Sequence, residues 1–186
     1  IKDLKVGLTP MVASSPGMGK SDIIRSIAKE FNLKVIDLRV SQCEPVDMQG
    51  YPGTIPDPND PSLQRMTFHV PEGDPIPDGK DGWLLFLDEF NSGNKQTEAA
   101  AYKLILDRAV YMYKLHPRCL IAAAGNLTTD RAIVNTQSTA TTSRLNHYRM
   151  RIDHNVWIDW ANGHDIDHRI ISLIKFKPEL LHKFNP

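Results

Sequence analysis

Along the chain, short continuous apolar runs alternate with segments whose apolar residues recur every three or four positions. Continuous runs of this kind read as strands covered on both faces, and the wider spacing reads as helix with one apolar stripe. Residues 6–13, 34–40, 83–88, 118–124 and 148–152 are the strand candidates. Between them, residues 22–31 carry Ile23, Ile24, Ile27 and Ala28 at helical spacing, and residues 95–108 do the same with Ala99, Ala100, Tyr102, Leu104 and Ile105. Strands alternating with helices in this way predict an α/β fold, a five-stranded parallel sheet sandwiched between helical layers.

The alternation is broken once. Residues 44–81 hold eight prolines (Pro45, Pro52, Pro56, Pro58, Pro61, Pro71, Pro75 and Pro77), which excludes a long regular helix from most of the segment. Apolar alternation around Met66-Thr67-Phe68-His69-Val70 predicts a short strand of a hairpin carried by this insertion. Whether it is a functional loop or a surface cover is open at this level. After Ile152 the spacing is helical again, over residues 156–161 and 167–176. The expected division is a core over residues 1–153 and a partial helical lid over 154–186, whose two helices are too few to close a bundle.

Composition narrows the class. With 186 residues, 41% of them hydrophobic, the chain can bury one good core. Its 22 basic and 22 acidic residues cancel, and the basic ones are scattered, so no electrostatic footprint for nucleic acid is visible. Cys43 and Cys119 lie far apart and form no Cys-x-x-Cys pair; reduced thiols of an intracellular, cytoplasmic protein are the expectation. No run approaches the roughly 20 apolar residues of a membrane span, and no secretory leader is recognisable. A first residue of Ile1 rather than Met leads us to expect further chain upstream.

Candidate chemistry begins where the first strand run meets the first helix pattern, at Ser14-Ser15-Pro16-Gly17-Met18-Gly19-Lys20-Ser21. Small residues at such a turn let backbone N–H groups surround phosphate oxygens at the positive end of a helix. A lysine and a hydroxyl at the helix start then reach the β/γ phosphates and Mg²⁺. This is a phosphate-binding loop with one departure, since the motif asks for glycine where Ser14 stands. A non-glycine residue there has to avoid positive φ or accept strain. The nucleotide-binding residues expected are Ser15, Pro16, Gly17, Met18, Gly19, Lys20, Ser21 and Asp22.

The third strand run, Trp83-Leu84-Leu85-Phe86-Leu87, ends in Asp88 and Glu89. A buried parallel strand delivers such acids to its C-terminal edge, where open α/β sheets bind ligands. Asp88 is then a candidate for orienting Mg²⁺, together with Ser21, and Glu89 for polarising the attacking water. The fourth run ends in Asn126 at the same edge, where an amide can hold that water. Arg144, just before the fifth run, is a candidate for stabilising charge on the transferring phosphoryl group from a neighbouring subunit.

Taken together these residues resemble the AAA+ superfamily, and within it the MoxR-like branch. The resemblance rests on Pro16-Gly17-Met18-Gly19-Lys20-Ser21, Val46-Asp47-Met48-Gln49-Gly50-Tyr51-Pro52, Leu87-Asp88-Glu89-Phe90-Asn91, Ala123-Ala124-Gly125-Asn126 and Ser143-Arg144-Leu145. It implies Walker A at Lys20 and Ser21, Walker B at Asp88 and Glu89, sensor 1 at Asn126 and an arginine finger at Arg144. It also implies a P-loop NTPase αβα sandwich forming the large AAA+ subdomain, with the start of the small helical lid. The proline-rich segment would match the family's helix 2 insert, facing a ring channel or a partner. The implied activity is Mg²⁺-dependent ATP hydrolysis by a homo-oligomeric, hexameric ring that remodels a client protein. Leu145 stands where an aromatic residue is common, and no sensor 2 arginine can be assigned, so full turnover is expected to need more chain.

Two rival readings follow from the same residues. One is a nucleotide-held interaction module with little turnover, favoured by Ser14 and the missing sensor 2. The other is a DNA-handling motor, to which the neutral charge gives little support. His164 and His168, four apart, lack a third ligand for a metal site. Asn94-Lys95-Gln96-Thr97 reads as a helix N-terminus, and Trp157 with Trp160 as a packing stripe.

Overall fold

A computed structural model describes residues 8–69, 79–110, 113–127 and 145–182. Strand β1 (Thr9–Ser14) is followed by helix α1 (Lys20–Glu30) and β2 (Leu33–Arg39). A short helix α2 (Pro45–Gln49) leads into strands β3 (Tyr51–Pro56) and β4 (Gln64–His69). Then come β5 (Gly82–Asp88), α3 (Lys95–Asp107), the two-residue strands β6 (Ala109–Val110) and β7 (Tyr113–Lys114), and β8 (Cys119–Asn126). Strand β9 (Leu145–Arg149) and helices α4 (His154–Asn162) and α5 (His168–Phe176) complete the described chain.

The main sheet has five strands in the order β2-β5-β8-β1-β9, every pairing parallel. Its central strands show why a continuous apolar run suits this architecture. Leu85 and Leu87 of β5 point to the same side as Ala100, Ala101, Leu104 and Ile105 of α3, whereas Leu84 and Phe86 join Ile24 and Ala28 of α1. Ile121 and Ala123 of β8 alternate with Ala122 and Ala124 in the same way. Both faces are covered by helices, and the expected αβα sandwich is what forms.

Two strand boundaries differ from the sequence expectation. The fifth strand runs over Leu145–Arg149, three residues earlier than the predicted 148–152. Within the predicted span Tyr148 is 49% and Ile152 45% exposed, and Leu145, before it, is the buried anchor at 5%. An edge strand has only one neighbour, β1, so its register is set by pairing Leu145 with Thr9 rather than by its own apolar pattern. The first strand begins at Thr9, and the Val6 and Gly7 portion of its predicted span lies outside the described residues.

The insertion is ordered by local chemistry. Glu44 and Asp47 form a reciprocal capping box on α2, with Pro45 in its first turn. Strands β3 and β4 then pair antiparallel from Tyr51 opposite His69 to Pro56 opposite Gln64; β4 is the predicted strand, begun two residues earlier, and its partner β3 was not anticipated. Two strands need no central N–H ladder on their outer edges, so Pro52 and Pro56 are accommodated. Val70 and the remaining predicted insertion up to residue 78 lie outside the described residues.

Helices α4 and α5 bury Ile158, Ala161, Ile171 and Ile174 against one another, separately from the two clusters on the sheet. Each has an aspartate cap: Asp153 accepts from Asn155 N at 2.9 Å, and Asp167 from Arg169 N at 2.8 Å. Trp157 packs on this cluster as expected. Trp160 does not; it is exposed and stacks on His164 with centroids 4.4 Å apart. Among the described residues, no helix is long and apolar enough to cross a membrane.

Candidate nucleotide site

The C-terminal ends of β1, β5 and β8 open onto one cleft of about 290 Å³. Its lining comprises Pro16, Gly17, Met18, Gly19, Lys20, Ser21, Asp22, Asp88, Glu89, Gly125 and Asn126. Of the expected nucleotide-binding residues only Ser15 is missing from that wall, and its carbonyl accepts from Lys20. The loop between β1 and α1 turns through two left-handed glycines, Gly17 at φ 75° and Gly19 at φ 78°. An added Cβ at either would meet nothing within 4 Å, so the constraint there is backbone conformation and the space above is open.

Ser14 resolves the one irregularity of the motif. It is the last residue of β1, in extended pairing with Asn126 and fully buried, so the anticipated strain at positive φ does not arise. Its hydroxyl donates to Ser15 O at 3.1 Å and accepts from Lys20 Nζ at 3.2 Å. Lys20 Nζ also donates to Ser14 O (3.1 Å), Ser15 O (3.3 Å) and Asn126 Oδ1 (3.1 Å). An ammonium has three N–H donors, so its capacity is divided among acceptors of the loop itself and of β8.

Across the cleft, Ser21 Oγ donates to Asp88 Oδ2 at 2.8 Å. This pairs the first turn of α1 with the end of β5. Asp88 Oδ1 accepts from the backbone N–H of Glu89 at 2.8 Å, and Glu89 takes a left-handed φ of 52° as the chain leaves the strand. A non-glycine residue in that region at a cleft is the kind of strain that accumulates at functional sites. The Glu89 carboxylate Oε2 accepts a hydrogen bond from Ser41 Oγ.

Two contributors escape a reading of the sequence. Ser41, in the short 3-10 turn Val40–Gln42 after β2, carries no motif, and only the adjacency of β2 to β5 brings it to Glu89. Asn91 stands inside the Leu87–Asn91 motif but received no role; its side-chain amide pairs with the backbone of Asn126. Arg144 lies outside the described residues.

The remaining candidates take structural places. His164 Nδ1 is 2.8 Å from Trp160 O at the end of α4, and among the described residues no group of three or more His, Cys, Asp or Glu side chains is placed to hold a metal. Asn94 caps α3, accepting from Thr97 N at 2.8 Å. Both cysteines are free; burial, followed by the negative charge of Asp47, pushes the Cys43 thiol up, and burial does the same to Cys119. Neither is therefore poised as a thiolate.

No protein-family model and no curated protein matches the chain. Solved structures do. One, a protein of Cytophaga hutchinsonii described as a "putative ATPase", superposes with a TM-score of 0.59 at 14% identity over 89% of this chain. The chain spans about half of that structure, 49% of its length. The likeness is one of fold, a P-loop ATPase-like αβα sandwich.

Proposed function

We propose that the protein is a Mg²⁺-dependent ATPase of the AAA+ superfamily, of the MoxR-like branch, acting as a ring that remodels or assembles a partner protein. The observation that carries this reading is the convergence of Lys20, Ser21, Asp88, Glu89 and Asn126 on one cleft at the C-terminal edge of a parallel sheet. The fold shared with a "putative ATPase" is in keeping with it.

The chain's own groups fit the ligand chemically. Gly17 and Gly19 leave open space where phosphate oxygens would approach the start of α1, and the Ser21–Asp88 pair is a hard oxygen donor set of the kind Mg²⁺ prefers. Bound there by Ser21 and Asp88, Mg²⁺ would neutralise phosphate charge. Lys20 would exchange its contacts with the Ser14 and Ser15 carbonyls for β/γ phosphate oxygens. In the chemical step a water oxygen bonds to the γ phosphorus as the bond to the ADP oxygen breaks; Glu89 accepts the water proton and the Asn126 amide orients that water. Ser41 holds the Glu89 carboxylate through Oε2, which leaves Oε1 to accept that proton. Arg144 of an adjoining subunit would stabilise the developing charge, and hydrolysis would move the α4–α5 unit against the core.

The deciding experiment measures Mg²⁺-dependent ATP hydrolysis against protein concentration, with Glu89→Gln as control. Specific activity that rises with concentration and is abolished in the variant supports a shared-site ATPase. Equal rates in both forms would remove the assignment. The second reading, a nucleotide-held module, is favoured by the loop acceptors that already engage Lys20 Nζ and predicts tight ATP binding with no turnover at any concentration.

A further inference from the structure

Asn91 is 6% exposed, two residues beyond Glu89 and outside the cleft wall. Its amide is used twice on one residue: Nδ2 donates to Asn126 O at 2.8 Å and Oδ1 accepts from Asn126 N at 3.0 Å. These are the bonds a neighbouring strand would supply. The β5–β8 pairing ends at Leu87 opposite Ala123, so the last residues of β8 have lost their partner on that side. The chain beyond β5 substitutes for it, with Phe90 N donating to Ala124 O at 2.8 Å and Asn91 serving Asn126. On the other side β1 continues the sheet, Ser14 lying opposite Asn126.

Gly125 reports how closely the amide is seated. A Cβ at that position would come within 2.4 Å of Asn91 Oδ1. Thus the backbone carrying Asn126 is clamped from both sides, while its side-chain Oδ1 faces Lys20 Nζ at 3.1 Å.

We propose that Asn91 is a positioning residue: by completing the unpaired end of β8 it fixes the Asn126 amide relative to Lys20 and Glu89, and it acts on the reaction through Asn126. The inference rests on the ATPase reading, and it assigns to Asn91 a part distinct from nucleotide binding.

A double-mutant cycle separates this from mere structural support. Asn91→Ala is expected to lower kcat at least about tenfold while the Kd for Mg-ATP changes less than about threefold; in an Asn126→Ala background the same change should cost nothing further. Equal fold-losses in both backgrounds would overturn the inference. Asn91→Asp serves as the near-isosteric variant should the alanine protein fail to fold: it keeps the acceptor for Asn126 N, replaces the donor to Asn126 O by a second oxygen, and should show the same kcat loss. Backbone hydrogen exchange gives a readout independent of turnover. The Asn126 backbone N–H should be protected in the wild type and lose protection selectively in Asn91→Ala, which removes its acceptor, with Ile121 and Ala123 unaffected. A wild type that hydrolyses no ATP removes the ATPase reading, whereas an unprotected Asn126 amide in the wild type removes the clamp.

Discussion

Ser14 illustrates how one departure from a motif changes a site. Where the phosphate loop asks for glycine, a buried hydroxyl adds one more acceptor for Lys20. A hydrogen bond to a charged group contributes roughly 1.5–3 kcal/mol net, but Ser14 O, Ser15 O and Asn126 Oδ1 remain to take up most of the lost contact. Ser14→Ala is therefore expected to tighten Mg-ATP binding by about two- to fivefold, because Lys20 leaves a weaker set of partners when phosphates arrive. Isothermal titration of the two proteins reads this directly, and weaker binding in the variant would mean that Ser14 instead aims Lys20 at the phosphates. Gly125 gives the steric counterpart. Gly125→Ala would push a methyl to 2.4 Å from Asn91 Oδ1 and 2.7 Å from Met11 Cε. Overpacking of that sort costs about 1–3 kcal/mol, to be seen as a lower urea midpoint with an unchanged slope.

At the scale of elements, what was legible depended on whether the determining contacts were local. The β5 and β8 runs declared themselves because burial on both faces leaves no polar alternation to misread, and α1 and α3 because each has one apolar stripe. Strand β9 was displaced by three residues because an edge strand takes its register from β1. Lys20 and Ser21 at a helix start, and Asp88, Glu89 and Asn126 at strand ends, were recognisable from spacing; Ser41 was not, since its partner lies 48 residues away and is reached only through the β2–β5 pairing. The hairpin was foreseen as one strand, but its tip follows from side chains bonding their own backbone. Asp57 accepts from Asn59 N at 2.7 Å and pairs with Arg65, and Asp60 accepts from Ser62 Oγ at 2.7 Å and from Ser62 N at 3.0 Å. The Asn59 N–H, then Arg65, hold the Asp57 carboxyl below its usual range, and the Ser62 hydroxyl and N–H do so for Asp60. A depressed folded value stabilises the tip at pH above the unfolded carboxylate value, and that contribution is lost as pH falls through the lower folded one. The Asn59 and Ser62 amide resonances should accordingly move with midpoints below the ordinary aspartate value of about 3.9. Midpoints at or above that value would show that these bonds do not form.

For the whole molecule the central question is whether the cleft is complete within one chain. Lys20, Ser21, Asp88, Glu89 and Asn126 meet at a single sheet edge, so the groups proposed to hold phosphate and metal all lie within one chain. The cation proposed to balance transition-state charge, Arg144, belongs in the ring reading to the next subunit, and a head-to-tail ring brings one subunit's finger to another's cleft all the way round. Complementation tests that arrangement. Lys20→Ala removes a subunit's own site and leaves its finger; Arg144→Ala does the reverse. Each protein alone should be inactive. Mixed in equal amounts before assembly, a site is competent when an Arg144→Ala subunit, with its intact cleft, receives the finger of a Lys20→Ala subunit. Random neighbours give that ordered pair at about one quarter of the interfaces, so roughly a quarter of wild-type specific activity should return if sites fire independently. Activity that stays at the level of the separate variants would mean that the finger does not act across the interface, and a site closed within one chain would take the place of the ring mechanism.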